Sequence, residues 1–174
     1  GAEAVRGLLP RVLSTAAALV LDADALNAIA TDKTLQAQLA SRGKIGSPTV
    51  ITPHPLEAAR LLGRSVGEVQ GDRMAAAREL AARFGVVAVL KGSGTVIAGA
   101  GQTTPVINLT GNARLATAGT GDVLAGMIGA ALAAGRPAFE AARESVWQHG
   151  HIADTWPADA APLTAGALAR RASD

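Results

Sequence analysis

The stretch VVAVLKGSGT, residues 86–95, begins as five apolar residues in a row and ends as a lysine followed by glycines and hydroxyls. An unbroken apolar run of this length belongs to a strand covered on both faces, which is how the strands of a parallel sheet are built. Two similar runs precede it, ALVLD at residues 18–22 and PTVIT at residues 48–52. Helical segments are expected between them, over residues 34–40 and 55–62. A third has Asp72 as N-cap, Met74, Ala77, Leu80, Ala81 and Phe84 on one face, and Gly85 as its stop. This βαβα alternation predicts an α/β fold, a mostly parallel sheet flanked by helices with right-handed crossovers.

Past Lys91 the rhythm changes. Glycines at 92, 94, 99 and 101 punctuate residues 95–98 and 103–109, as expected of antiparallel β-hairpins after the third strand. Helices return over residues 123–134, 139–153 and 163–171, and residues 1–10 are helix-like. With 174 residues, 49% of them hydrophobic, the chain can bury a substantial core. It contains no repeat or linker, so residues 1–174 are read as one domain. Three parallel strands plus hairpins make a thin sheet, whose edge or face another segment or chain would have to cover.

Composition narrows the function classes. No apolar run reaches the length of a bilayer span, nothing at the start has the order of a signal peptide, and there is no cysteine to form a disulfide or thiolate metal site. A cytoplasmic protein without a membrane partner is expected. The net charge of +2 comes from scattered charges and aromatics are only 2%, so nucleic acid is not an expected partner. Thirteen of the sixteen basic residues are arginine, which makes Lys91 a scarce residue at a telling place.

Four stretches carry chemistry. In NARLATAGTGDVLAG, residues 112–126, Gly119-Thr-Gly-Asp122 precedes an apolar helix. Glycines there would turn N–H groups toward an anion at the helix N-terminus, unless Asp122 is simply the cap. A phosphate beside Asp122 needs a cation, Lys91 or Mg2+, and the carboxylate would then act as base toward a substrate hydroxyl in phosphoryl transfer. Lys91, Gly92, Ser93, Gly94 and Thr95 follow a buried strand, where α/β folds place ligands; a tight hairpin turn is the alternative. This stretch is neither a Walker A loop nor a GxGxxG fingerprint.

Thr52-Pro-His-Pro-Leu-Glu57 also follows a strand, so His54 and Glu57 could face a ligand together. In Asp22-Ala-Asp-Ala-Leu-Asn27, Asp24 and Asn27 could share a helical face, with capping by Asp22 or Asp24 as the alternative. His149-Gly-His151 has no carboxylate or cysteine cluster to complete a metal site, so no metal ligands are assigned; Trp147 and Trp156 are read as packing residues.

These four stretches, in this order and spacing, resemble the ADP/ATP-dependent NAD(P)H-hydrate dehydratase family, which has the ribokinase-like fold. The resemblance runs along nearly the whole chain and weakens after Ala153. It implies a lyase of metabolite repair, in which hydrated NADH or NADPH is returned to the normal cofactor with ADP or ATP as co-substrate, Mg2+ present and a homo-oligomeric assembly. By this resemblance Asp122 is the catalytic residue. His54, Pro55, Glu57, Arg60, Asp24 and Asn27 contact the hydrate. Lys91, Gly92, Ser93, Gly94, Thr95, Asn112, Thr117, Gly119, Thr120 and Gly121 bind the nucleotide, with Gly119 and Gly121 N–H groups as the anion hole.

The resemblance further implies an upstream part of the fold that this chain lacks, including a Gly-Pro-Gly-Leu-Gly turn. Leu56 stands where a glycine is common in the family. The alternatives are a small-molecule kinase of the hydroxyethylthiazole or sugar type, which shares the Gly-Thr-Gly-Asp logic, and a nucleotide-binding module without turnover.

Overall fold

The computed structural model describes residues 2–173; Gly1 and Asp174, the ends of the expected domain, lie outside the described residues. Five strands form one sheet in the order β1 (Leu19–Leu21), β2 (Thr49–Ile51), β3 (Val87–Leu90), β4 (Val96–Gly99) and β5 (Val106–Ile107). The first two pairings are parallel and the last two antiparallel, so the change of sense falls on the loop that follows β3. The three apolar runs are the three parallel strands, and the glycine-punctuated stretch is the antiparallel part. Among the described strands β1 pairs only with β2, which leaves its other edge open as expected.

Strand side chains alternate between two cores. Leu21, Ile51, Ala88, Leu90, Val96 and Ala98 pack on one face with helices α1 (Ala2–Leu13), α2 (Asp24–Thr31), α3 (Lys33–Lys44), α4 (Pro55–Leu62), α5 (Val66–Gly71) and α6 (Arg73–Phe84). Val50, Val87, Val89 and Ile97 face the opposite layer, formed by α7 (Thr120–Ala133) and α8 (Ala138–Asp154). A smaller cluster joins α8 to α9 (Ala165–Ser173) around Ile152, Leu163 and Leu168. The continuous apolar runs are therefore the period-2 pattern of strands that have a core on each side.

Local signals fix most helix ends. Asp72 accepts from Ala75 N–H and Gly85 closes α6 at φ 65°, as the sequence predicts. Met74, however, is 38% exposed, because at the first turn it points past the packed stripe of Ala77, Leu80, Ala81 and Phe84. The helix expected over residues 34–40 is longer, since Asp32 caps it by accepting from the Thr34 and Leu35 N–H groups. Helix α5, with a Ser65–Glu68 capping box, was not anticipated: its six residues are too short to show a period.

Two arginines act as clamps on irregular backbone. Arg42 is 2% exposed, and its guanidinium donates to the Leu13, Thr15 and Ala17 carbonyls and to Thr49 Oγ1. It thereby ties the α1–β1 connection to the start of β2. The second is Arg73, which donates to carbonyls of the loop after β3.

Candidate active site

The C-terminal ends of β1, β2 and β3 and the N-terminus of α7 meet at one end of the sheet. After β1, Ala23 takes φ 48° and ψ −115°, the only positive φ among the described non-glycine residues. Such a conformation costs about 1–3 kcal/mol and persists only where its surroundings enforce it. Here it accompanies a turn in which Asp22 Oδ1 accepts from the Ala23 N–H at 2.9 Å and from Lys91 Nζ at 2.8 Å. Lys91, at the end of β3, thus reaches across the end of β2. Its N–H is held by the Pro53 carbonyl at 2.9 Å, and its side chain is only 22% exposed.

Lys91 is also aimed at α7. A Cβ added to Gly121 would lie 3.6 Å from Lys91 Nζ, an ordinary contact distance, so the ammonium sits close beside the first turn of α7. Helix α7 begins earlier than expected, at Thr120, and its N-cap is Gly119 at φ 84°. Asp122 is therefore not the cap: it sits in the first turn, exposed, with no hydrogen bond or ion pair among the described residues. The Gly119, Gly121 and Asp122 N–H groups likewise donate to no described acceptor. Unpaired donors at a helix N-terminus, with the Lys91–Asp22 pair close by, make a candidate site for an anion.

The rest of that loop is used internally. Asn112 donates to the Ala153 carbonyl and Asp154 Oδ1 and accepts from the Arg114 N–H, each at 2.9–3.0 Å. The Thr117 hydroxyl donates to the Arg114 carbonyl, and that of Thr120 to the Leu115 and Thr117 carbonyls. These three side chains shape the loop, leaving backbone groups to meet a ligand. His149 completes the support from α8: its Nε2 lies 2.9 Å from the Thr120 carbonyl, which can only accept, so Nε2 carries the proton. Burial pushes the His149 pKa down, against the weaker opposing pull of that carbonyl.

His54 caps α4. Its Nδ1 accepts from the Leu56 and Glu57 N–H groups, while Glu57 Oε2 accepts from the His54 N–H at 2.8 Å and Oε1 lies 3.3 Å from Nε2. Glu57 is 3% exposed, so both its oxygens serve His54, whose ring remains half open to solvent. The sequence allows both side chains to face a ligand; in the structure Glu57 lies behind His54. Pro55 opens α4 beside it. Arg60 on α4 donates to Asn27 Oδ1 on α2 at 2.6 Å, bringing these two expected contacts together, while Asp24 is exposed in the first turn of α2 without a described partner.

The sequence offers Asp22 as a possible cap; the signal for its pairing is a carboxylate ending one buried strand and a scarce lysine ending another. Trp147 was expected to pack but is 51% exposed, stacked on His151 with ring centroids 4.7 Å apart; the i,i+4 spacing brings them together on the outer face of α8.

Among the described residues no three His, Asp or Glu side chains converge as a metal cage. The donor set fits Mg2+ only as an ion carried by a phosphate ligand, with water and Asp122 as available oxygen donors beside the anion loop. No helix among the described residues is long and apolar enough to cross a membrane.

A family model described as NAD(P)H-hydrate dehydratase matches residues 1–173. The ADP-dependent (S)-NAD(P)H-hydrate dehydratase of Neisseria meningitidis serogroup B is 49% identical over 151 residues, 87% of this chain and 49% of that protein. The crystal structure of the ADP/ATP-dependent NAD(P)H-hydrate dehydratase of Bacillus subtilis, co-crystallized with ATP and Mg2+, superposes with a TM-score of 0.80 at 34% identity; 98% of this chain and 58% of that one are covered. A ribokinase-like superfamily protein of Enterococcus faecalis gives a TM-score of 0.74 at 27% identity, covering 97% and 57%. The chain spans about half the length of the Neisseria relative.

Proposed function

Because this chain belongs to the NAD(P)H-hydrate dehydratase family, we propose that it forms the catalytic end of an enzyme that restores hydrated NADH or NADPH to the normal cofactor with ADP or ATP as phosphoryl donor. The observation that carries this reading is the close approach of Lys91 Nζ to Gly121 at the start of α7, beside an unpartnered Asp122. Phosphoryl transfer asks a protein chiefly to position the reactants and to offset charge. Lys91 and the Gly119 and Gly121 N–H groups supply positive potential for the terminal phosphate, and the Gly92 to Thr95 loop lies alongside for the remaining phosphates.

The nicotinamide hydroxyl, lying against His54 and within reach of Asp122, gives its proton to the Asp122 carboxylate as its oxygen bonds to the terminal phosphorus. The bond from that phosphorus to the leaving nucleotide oxygen breaks in the same step. The phosphorylated ring then loses phosphate by cleavage of the carbon–oxygen bond and gives up a neighbouring ring proton to water, which restores the double bond. His54, held by Glu57, lines the hydrate side, with Pro55, Arg60, Asn27 and Asp24 on the adjoining surfaces of α4 and α2. Mg2+ arriving with the nucleotide would neutralise phosphate charge. A lyase with these substrates would work in the cytoplasm, and a homo-oligomer is the assembly we assign; light scattering checks it.

The test follows absorbance at 340 nm as the purified protein meets hydrated NADH, Mg2+ and either ADP or ATP. Nucleotide-dependent recovery of absorbance supports the reading. A stable phosphorylated product without recovery would replace the dehydratase by a small-molecule kinase.

A further inference from the structure

Arg73 lies outside every motif read from the sequence, yet its guanidinium reaches the loop that follows β3. Nη1 donates to the Ser93 carbonyl, and Nη2 to the Leu90 and Lys91 carbonyls at 3.1 and 3.2 Å. The Gly92 carbonyl is held as well, accepting from the Thr95 hydroxyl at 3.1 Å. Four consecutive carbonyls, from Leu90 to Ser93, are therefore satisfied within the protein. The N–H groups of Gly92, Ser93 and Gly94 have no described acceptor.

Planar trans peptide units place C=O and N–H on opposite sides. With the Lys91 and Ser93 oxygens drawn toward Arg73, the Gly92 and Gly94 N–H groups must point away from it. Gly92 itself takes φ 143°, and a Cβ there would lie 2.8 Å from Arg73 Nη2, so a side chain would press the guanidinium out of its place.

Helix stability does not explain Arg73. It occupies the first position of α6, where the macrodipole disfavours a cation. Its buried Nε has no partner, and no carboxylate pairs with the guanidinium among the described residues. Its charge is thus directed at the loop without being neutralised, and burial lowers its pKa from the ordinary value.

We propose that Arg73 is a positioning residue for the adenine nucleotide: it holds the Leu90, Lys91 and Ser93 carbonyls on one side so that the Gly92 and Gly94 N–H groups are set to receive phosphate. This inference rests on the nucleotide-dependent reading above. Arg42 makes the same kind of clamp far from the site, which provides a comparison for purely structural effects.

The test measures ADP binding with Mg2+ by calorimetry, binding of hydrated NADH separately, and thermal unfolding, for Arg73→Gln, Arg73→Lys, Arg42→Lys and the exposed Arg78→Gln. Misplacement of a binding loop costs roughly tenfold to a hundredfold, so Arg73→Gln is expected to weaken ADP by that factor and to change hydrate affinity by less than about twofold. Arg73→Lys, which keeps the charge but not the fork, falls between wild type and Arg73→Gln and keeps the test open if the glutamine variant does not fold. Arg42→Lys lowers the unfolding temperature without the ADP-selective loss, and Arg78→Gln changes neither.

ADP affinity unchanged in both folded Arg73 variants would overturn the proposal, as would equal losses for ADP and hydrate that track the unfolding temperature. ADP binding that depends on Arg73 in a protein giving no 340 nm recovery would remove the repair reading and leave the role of Arg73 standing.

Discussion

Lys91 Nζ and Asp22 Oδ1 lie 2.8 Å apart, joining the ends of two strands that β2 separates. The pair is mostly buried, so its geometry is better defined than that of an exposed ion pair, and removing one partner strands the other. The two residues should nonetheless behave differently. Lys91→Met deletes the charged donor proposed for phosphate and is expected to weaken ADP by roughly ten- to a hundredfold, the range for hydrogen bonds to charged groups. Asp22→Asn keeps the lysine but frees its aim: kcat falls by about tenfold or more, while ADP affinity changes by less than about threefold. Calorimetry beside steady-state kinetics separates the two; a larger loss of ADP affinity in Asp22→Asn than in Lys91→Met would contradict this division.

Asp122 is exposed, and its carboxylate makes no bond within the described residues, so removing it costs the fold little. General-base contributions run to about 10²–10⁴-fold, and Asp122→Ala is expected to lose kcat in that range with ADP affinity near wild type. Full turnover in that variant would place the base elsewhere.

His149 links pH to stability. Its folded pKa lies below the ordinary 6.5 because burial opposes charging, so between the two values the unfolded chain binds more protons than the folded one. Stability is therefore complete above about pH 6.5 and is lost as pH falls through the window beneath it. Unfolding temperatures measured from pH 5 to 8 should climb toward neutrality and then flatten. His149→Gln should lower stability at pH 7, by loss of the bond to Thr120, and reduce the slope below it. An unchanged slope would mean that folding does not shift the titration of His149.

How much the sequence revealed follows from the length scale of each signal. Residues 86–90 gave a buried strand because every residue is apolar, and the structure shows why: Val87 and Val89 enter one core while Ala88 and Leu90 enter the other. The cap at Asp72 and the stop at Gly85 were legible because they act within one turn. Asp22 with Lys91, and Arg73 with the 90–93 carbonyls, were not, since partners 69 and about 18 residues apart meet only through sheet order and helix packing. Glu57 was misplaced for a related reason: the spacing to His54 is equally that of two ligand contacts and of a capping box, and only burial decides between them.

Two glycines in helices should respond to alanine with opposite signs. Gly150 on α8 lies against the segment leading into the anion loop: an added Cβ would meet Thr110 Oγ1 at 2.3 Å and the Thr110 carbonyl carbon at 2.6 Å. The Thr110 hydroxyl already donates to the Trp147 carbonyl, so the segment has no slack, and the backbone atoms cannot rotate away. Gly150→Ala is expected to cost about 1–3 kcal/mol or more, as overpacking does. Gly7 in α1 has nothing within 4 Å of its Cβ position and an ordinary helical backbone, so Gly7→Ala should stabilise by about 0.5–1 kcal/mol through lower unfolded-state entropy. Urea unfolding of the two variants beside wild type reads both signs. A neutral Gly150→Ala would show that α8 and the Thr110 segment can separate, and ADP affinity in that variant would then report whether the anion loop needs their contact.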